Sequence, residues 1–213
     1  MKRTIRIKGE SNLKIVPDTV VITLDLNLTD LNYQKALNTH QNNHHEIINA
    51  LLTCNFKKED ILTSNLDISM QYEYQEERGV SKKKLVGYRI SQELKVSFPI
   101  NNDRINLIIT SLAGTSVNPE LRISFTVSNQ EKYTAILLKN ATEDALKKAH
   151  LLAESAKVSL GELLEIDYSW DVIRFESATR YSVARANLMS LDMSFQPEAI
   201  ESKDSVNFLW EIN

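Results

Sequence analysis

Alternation of apolar and polar residues recurs along this 213-residue chain and restricts its possible folds more than any other feature. Side chains of a β-strand point alternately to its two faces, so such a segment has one face for a core and one for water. Strands of a parallel α/β sheet would instead be apolar on both faces. The pattern therefore predicts antiparallel sheet covered on one side. The apolar positions of the six segments are Val20, Ile22, Leu24, Leu26, Leu28; Leu66, Ile68, Met70, Tyr72, Tyr74; Val86, Tyr88, Ile90, Leu94, Val96, Phe98; Leu121, Ile123, Phe125, Val127; Leu164, Ile166, Tyr168, Trp170; and Val206, Phe208, Trp210, Ile212.

Three segments change to helical spacing. Residues 30–54 start at Asp30, a good N-cap residue, residues 103–113 precede Gly114, which suits a helix end, and residues 131–157 form the longest segment. The last of these carries alanines at spacing four: Ala141, Ala145, Ala149 and Ala153. The fold class predicted is α+β, with antiparallel sheet of about seven or more strands packed on one face by two long helices and one shorter helix.

Composition supports a single folded body. Hydrophobic residues make up 42% and charged residues 25%, which is close to the globular average and excludes wholesale disorder. Five glycines and four prolines leave no linker-like stretch. We expect one domain over 1–213, with two lobes sharing strands as the alternative and an irregular excursion at 174–196.

The N-terminus carries no apolar run like that of a secretory signal, since Ile5 and Ile7 alternate with Arg6 and Lys8. No stretch approaches the roughly 18 apolar residues that span a bilayer. A cytoplasmic location is expected, with a removed export signal as the alternative.

Two histidines on the first predicted helix, His40 and His44, have the i, i+4 spacing with which two imidazoles can bind one metal. The sequence supplies no third ligand at a recognisable spacing, and Gln41 stands where a His-Glu-x-x-His site has its glutamate. The pair is a weak metal candidate, and partly buried polar positions are the simpler interpretation. No metal or cofactor is predicted.

Catalytic motifs are equally scarce. No Gly-x-Ser-x-Gly elbow, phosphate-binding glycine loop or dinucleotide fingerprint occurs in the sequence. The single cysteine, Cys54, falls on the apolar stripe near a helix C-terminus, where the helix dipole disfavours a thiolate. We predict a structural cysteine and no catalytic residues.

A basic cluster, Lys82 to Lys84 with Arg78, lies close in sequence to Tyr72, Tyr74 and Tyr88. Nearby glutamates offset its charge, the tyrosines lie on the phase expected to face the core, and the net charge of the chain is −3. A solvated hairpin tip is therefore predicted, and no binding of nucleic acid.

The aperiodic stretch 174–196 suggests an interaction surface, because mobile methionine-rich segments often contact partners. Its candidate residues are Phe175, Tyr181, Met189 and Met193. The alternative is that the segment folds back over its own sheet.

Several local patterns, in order along nearly the whole chain, resemble the SIMPL-domain family (DUF541). They are Ile7-Lys8-Gly9-Glu10 before Val16-Pro17-Asp18, Asp60 to Leu66 before Tyr72 and Tyr74, Gly87-Tyr88, Asn118-Pro119-Glu120-Leu121, Leu160-Gly161-Glu162-Leu163, and Pro197-Glu198 leading to Trp210-Glu211-Ile212. The resemblance implies an α+β fold with long helices, and some members assemble into large ring- or channel-like oligomers. Bacterial members of the family are often exported, and an animal member is an adaptor associated with a signalling kinase. No catalytic residues are established for the family, so the resemblance implies none here.

Three functions remain open. The leading hypothesis is a non-enzymatic interaction or assembly module that self-associates, with an unidentified protein partner as a variant. The second is a small-ligand-binding protein with an apolar pocket between helices and sheet and Gln92 or His40 as polar contacts. The third is an enzyme using Cys54 or the His40 and His44 pair.

Overall fold

The computed structural model describes residues 3–77, 80–183 and 194–213. Three helices and eight strands in two antiparallel sheets occupy this part of the chain and confirm the α+β prediction. The elements are β1 (Thr4–Ile15), β2 (Thr19–Asp30), α1 (Tyr33–Thr53), β3 (Leu62–Glu77), β4 (Val80–Pro99), α2 (Asn102–Ala113), β5 (Glu120–Thr126), α3 (Gln130–Ser155), β6 (Leu160–Asp167), β7 (Tyr181–Val183) and β8 (Ile200–Ile212).

The chain divides into two compact units. The first comprises Met1–Asp18, Thr126–Ala178 and Pro197–Asn213, and the second comprises Thr19–Phe125 and Thr179–Gln196. The domain arrangement expected from the sequence, one domain or two lobes sharing strands, stays a prediction.

The second unit contains a five-stranded sheet with the order β3-β4-β2-β5-β7. The apolar phases of β2, β4 and β5 are buried as predicted, with Ile22, Ile90 and Ile123 each fully inaccessible. Ile22, Leu94 and Ile123 of these strands share one hydrophobic core with the inward faces of α1 and α2, including Ile47 and Ile108. Alternation along these strands therefore identifies the covered face correctly.

The first unit contains a three-stranded sheet with the order β1-β8-β6, on which α3 packs. The predicted alanine stripe of α3 is buried and meets Ile7, Val206 and Phe208 of β1 and β8. Gly9 of β1 lies directly beneath this stripe, where an added Cβ would collide with the carbonyl oxygen of Ala141 and lie 2.7 Å from the Cβ of Ala145. Small residues on both elements thus permit close approach of helix and sheet.

The predicted helix boundaries need one correction. α1 is capped by Asn32 and not by Asp30, since the Asn32 side chain accepts a hydrogen bond from the Lys35 backbone N–H at 3.0 Å. Asp30 lies before the cap, accepts from the Asn32 N–H at 2.8 Å and forms an ion pair with Lys35. Gly114 follows the last residue of α2, as predicted.

Two predicted core faces are wrong. The apolar phase of β3, from Leu66 to Tyr74, is exposed because β3 is the last strand of its sheet. Register shifts in the pairing of β6 with β8 interrupt the predicted alternation of β6. Leu163 and Ile166, which alternation would assign to opposite faces, pair with Trp210 and Phe208 of β8. Trp170, predicted on the same buried face, lies beyond the strand and is 87% exposed. Alternation reports which side chains share a face, but it does not report whether another element covers that face.

Candidate functional site

Gln92, the polar residue in the apolar phase of β4, has its partner on α1. The Nε2 atom of His40 lies 2.8 Å from Oε1 of Gln92, and both residues are buried. A hydrogen bond compensates the loss of hydration of two polar groups in an apolar core. The two residues proposed as polar contacts of a ligand therefore partner each other.

His44, the second metal candidate, lies one turn after His40 and is half-buried. Its pKa is lowered, first by burial and then by repulsion from His45 and His40. The ring centres of His44 and His45 are 6.0 Å apart. Among the residues that the structure describes, no three His, Cys, Asp or Glu side chains cluster as metal ligands.

Cys54 is the C-cap of α1 and only 1% exposed. Its Sγ donates to the Ala50 carbonyl oxygen at 3.4 Å and to Oγ of Ser111 at 3.2 Å. These contacts hold the thiol within the core of the second unit, as expected of a structural cysteine.

The candidate interaction segment 174–196 is described only in part. Phe175 is 4% exposed and packs in the first unit against Val127 and Leu137, while Tyr181 packs against the core of the second unit. The other two candidates, Met189 and Met193, lie outside the described residues. The interaction surface assigned to this segment stays a prediction.

The apolar phase of β3 forms an exposed row of side chains, here called the β3 stripe: Leu66, Ile68, Met70, Tyr72 and Tyr74. Their exposed fractions are 55%, 43%, 55%, 40% and 74%. The stripe lies on the α1 side of the sheet, because Met70 pairs with Tyr88, whose ring packs on that of Tyr33 in α1 at 5.3 Å. The core face of the sheet thus continues past α1 as an uncovered apolar strand.

In the described part of the chain, only β3 and β4 continue beyond the end of β2. Asp30, the last residue of β2, pairs with Tyr88, whereas the β3–β4 ladder extends to Glu77 and Val80. We call residues 71–77 and 80–87 the arm. An isolated two-stranded ribbon is only marginally stable in water, so the arm is a natural place for an additional strand.

Lys82 to Lys84 of the basic cluster lie on the arm, and Arg78 lies outside the described residues. Lys84 pairs across the ladder with Glu73, and the Nζ atom of Lys83 lies 4.1 Å from the ring centre of Tyr72. The cluster is therefore matched by acidic and aromatic neighbours on β3, and the absence of nucleic-acid binding stays a prediction.

The opposite, open face of this sheet is polar and internally paired. The Arg122 guanidinium lies 2.7 Å from Asp25 and 2.9 Å from Glu93, and Glu93 also binds Lys95 and Ser64. These contacts lower the pKa of Glu93, the Lys95 hydrogen bond most, then that of Ser64. The two faces thus differ sharply: one is a network of satisfied charges, and the other exposes the β3 stripe.

An apolar groove lies in the first unit, between the start of α3 and residues 168–175. It encloses about 480 Å³ and is lined by Leu138, Tyr168, Trp170, Ile173 and Phe175 among others. The Trp170 ring packs edge-on against Tyr168, with ring centres 4.8 Å apart. Sequence analysis did not identify this groove, because Leu138 and Trp170 are distant in the chain and belong to different patterns.

Fold and site together define an α+β protein with two helix-covered antiparallel sheets and an exposed apolar edge strand. Within the described residues, no helix has the length and apolar content needed to cross a membrane. Residues 5–210 match the family model "SIMPL: Protein of unknown function (DUF541)", and the chain belongs to this family.

The chain is also similar to a protein of Escherichia coli K12, "Uncharacterized protein YggE". The two are 22% identical over 204 residues, which cover 96% of this chain and 81% of the relative. The YggE proteins of Escherichia coli O157:H7 and Shigella flexneri match to the same extent. The family resemblance drawn from the sequence is confirmed.

Proposed function

We propose that this protein is a non-enzymatic assembly module that forms a homo-oligomer. The observation that carries the proposal is the β3 stripe, five apolar side chains in a row and each at least 40% exposed. Single exposed apolar residues are common on protein surfaces, but a contiguous row on a sheet edge is typical of an interface.

The backbone of β3 supports the same function. β3 ends its sheet, and no described strand pairs with its outer edge. Natural proteins protect long edge strands with lysine, proline or bulges. The sequence of Leu62–Glu77 contains no Lys, Arg or Pro, and its one extra residue, Ser64, lies near the start of the strand. This edge is therefore open to another strand.

The residues that could have supported catalysis have other partners. His40 is bonded to Gln92, and Cys54 is buried with its thiol donating to Ala50 and Ser111. A general base or nucleophile must reach its substrate. His40 is 8% and Cys54 1% exposed, which supports a role in assembly over an enzymatic one.

The experiment is to measure mass in solution by size-exclusion chromatography with light scattering for Ile68→Lys/Met70→Lys. Two charges in an apolar interface should raise the concentration needed for assembly at least tenfold, because the ammonium groups would have to be dehydrated. The matched control is Leu107→Lys/Leu151→Lys, which adds the same charge at two exposed apolar side chains outside β3. Equal masses for both variants and the wild type would contradict the proposal.

A second function, small-ligand binding, is favoured by the groove lined by Tyr168, Trp170 and Phe175. Apolar pockets of several hundred Å³ with aromatic walls suit small hydrophobic ligands. Native mass spectrometry of the purified protein would reveal a retained ligand as added mass that Trp170→Ala removes. A native mass equal to that of the bare chain, or an integer multiple of it, would count against this function.

A further inference from the structure

Resting on the assembly function proposed above, we infer that the partner of β3 is β3 of a second copy, antiparallel, about a two-fold axis beside Ser69. The two five-stranded sheets then join edge to edge into one continuous sheet. A two-fold contact of this kind is self-complementary, since residue i faces residue j and residue j faces residue i.

The choice of β3 as the joining edge follows from charge. The arm also exposes the other edge of β4, but that strand carries Lys82, Lys83 and Lys84 in succession. Lysines on an edge strand oppose pairing with another chain. β3 is acidic and apolar without a basic residue, and β6 of the first unit carries Glu162, Glu165 and Asp167 within eight residues. Pairing β3 with β6 would place carboxylates of both strands close together.

The axis must place the β3 stripe of each copy on one common face. Side chains of directly opposed residues point to the same side of a sheet, so even-numbered positions of β3 must face even-numbered positions. This condition is met when the two-fold axis places one residue opposite the same residue of the second copy. An axis between two neighbouring residues would instead place even-numbered positions opposite odd-numbered ones. The candidates are then the central residues from Asp67 to Gln71.

Carboxylates decide among these candidates. An axis at Met70 places Asp67 opposite Glu73, and an axis at Asp67 places that residue opposite itself. Like charges directly opposite one another destabilise a strand pair. An axis at Ile68 brings Glu76 opposite Asp60, just before β3, and pairs only Leu66, Ile68 and Met70 of the stripe among themselves. An axis at Gln71 places Glu76 against Leu66 of the stripe.

An axis at Ser69 opposes no two carboxylates and places Glu76 against Leu62, which lies outside the β3 stripe. Asp67 then faces Gln71 of the second copy, and Glu73 faces Asn65. On the apolar face, Leu66 meets Tyr72 and Ile68 meets Met70, and the two-fold repeats each pair. Cross-strand pairs of aromatic and aliphatic residues are the unit by which sheets are stabilised.

The size of the contact suits a second copy. Five half-exposed side chains of order 100 Å² each expose about 500 Å² per copy, and edge pairing buries the sides of this row together with the backbone edge of the strand. A small ligand could not cover a row nine residues long, from Leu66 to Tyr74, which at about 3.3 Å per residue spans roughly 27 Å.

Cysteine cross-linking tests the register, because the only native thiol, Cys54, is buried. Directly opposed residues of an antiparallel pair have Cα atoms about 4.5–5.5 Å apart, within the range of a disulfide. Ser69→Cys, with oxidised glutathione as oxidant, should give a band at twice the 24.3 kDa chain mass on a non-reducing gel. Neither Asp67→Cys nor Gln71→Cys alone should form this band, since each cysteine lies about 13 Å from the same cysteine of the second copy. A mixture of the two variants should cross-link, because residue 67 of one copy then faces residue 71 of the other.

The mixed pair keeps the test independent of whether Ser69→Cys folds, and wild type is the control for Cys54. A protein that is oligomeric by light scattering but forms neither the Ser69 cross-link nor the mixed one would overturn the β3 pairing and leave assembly through another surface. A protein that stays at the mass of one chain would overturn both the pairing and the proposed function.

Discussion

At the scale of single residues, the buried hydrogen bond between His40 and Gln92 explains why a polar side chain occupies an apolar position of β4. Gln92 interrupts the apolar phase of β4, and the sequence could identify that interruption. It could not identify His40 as the partner, because the hydrogen bond joins residues 52 positions apart through the packing of α1 on the sheet.

The His40–Gln92 pair predicts that replacing one partner costs more stability than replacing both. Gln92→Leu should lower the free energy of unfolding by about 1–3 kcal/mol, because the imidazole of His40 is left buried without its partner. Adding His40→Leu should recover part of this loss, since both polar groups are then replaced by apolar ones. Urea unfolding of the two single variants and the double variant measures the coupling. Strictly additive effects would contradict a pairwise interaction.

Glu46 gives a prediction on pH. Its carboxylate accepts from Oγ and from the backbone N–H of Ser116, at 2.6 and 2.5 Å. The side-chain bond and then the backbone bond lower the pKa of Glu46 from its ordinary value of 4.5. A pKa that is lower in the folded state stabilises above the unfolded-state value and loses this stabilisation as pH falls through the folded-state value.

The stability of the wild type should therefore exceed that of Glu46→Gln near neutral pH, and the difference should shrink as pH falls below about 4.5. Urea midpoints of both proteins between pH 7 and pH 3 check this. Parallel pH curves would show that Glu46 has the same pKa in both states.

At the scale of elements, the packing of α3 on β1 depends on the absence of side chains. Gly9→Ala should lower the free energy of unfolding by about 1–3 kcal/mol, because the new methyl group would overlap the backbone of α3 at Ala141. The control is Gly114→Ala, where a Cβ would be 3.5 Å from the nearest atom and φ is −76°. Thermal unfolding should show a clear loss for the first variant and little change for the second. Equal effects would contradict close helix–sheet packing.

Elements also show what the sequence can and cannot predict. Periodicity predicted the described strands other than β7, the three helices, the buried alanine stripe and the covered faces of β2, β4 and β5. It was wrong for β3, because Leu66 to Tyr74 alternate just as Val20 to Leu28 do. Burial of a strand depends on its place in the sheet and on the reach of the helix above it. These are set by contacts distant in sequence.

At the scale of the whole molecule, the paired charges and the apolar edge strand of the second unit lie on different faces of its sheet. Ion pairs such as Arg122 with Asp25 and Glu93 satisfy the open face of the second unit. Exposed ion pairs add little to stability, typically below about 1 kcal/mol each, but they keep that face hydrated. In the proposed assembly the β3 stripe is the joining surface, and association would bury apolar area that the single chain leaves in water.

The most direct test of this account is the mass of the unmodified protein by light scattering across a dilution series. The account predicts an integer multiple of the 24.3 kDa chain, with an even number of copies if β3 pairs with β3. A mass of 24.3 kDa that persists at the highest attainable concentration would contradict it.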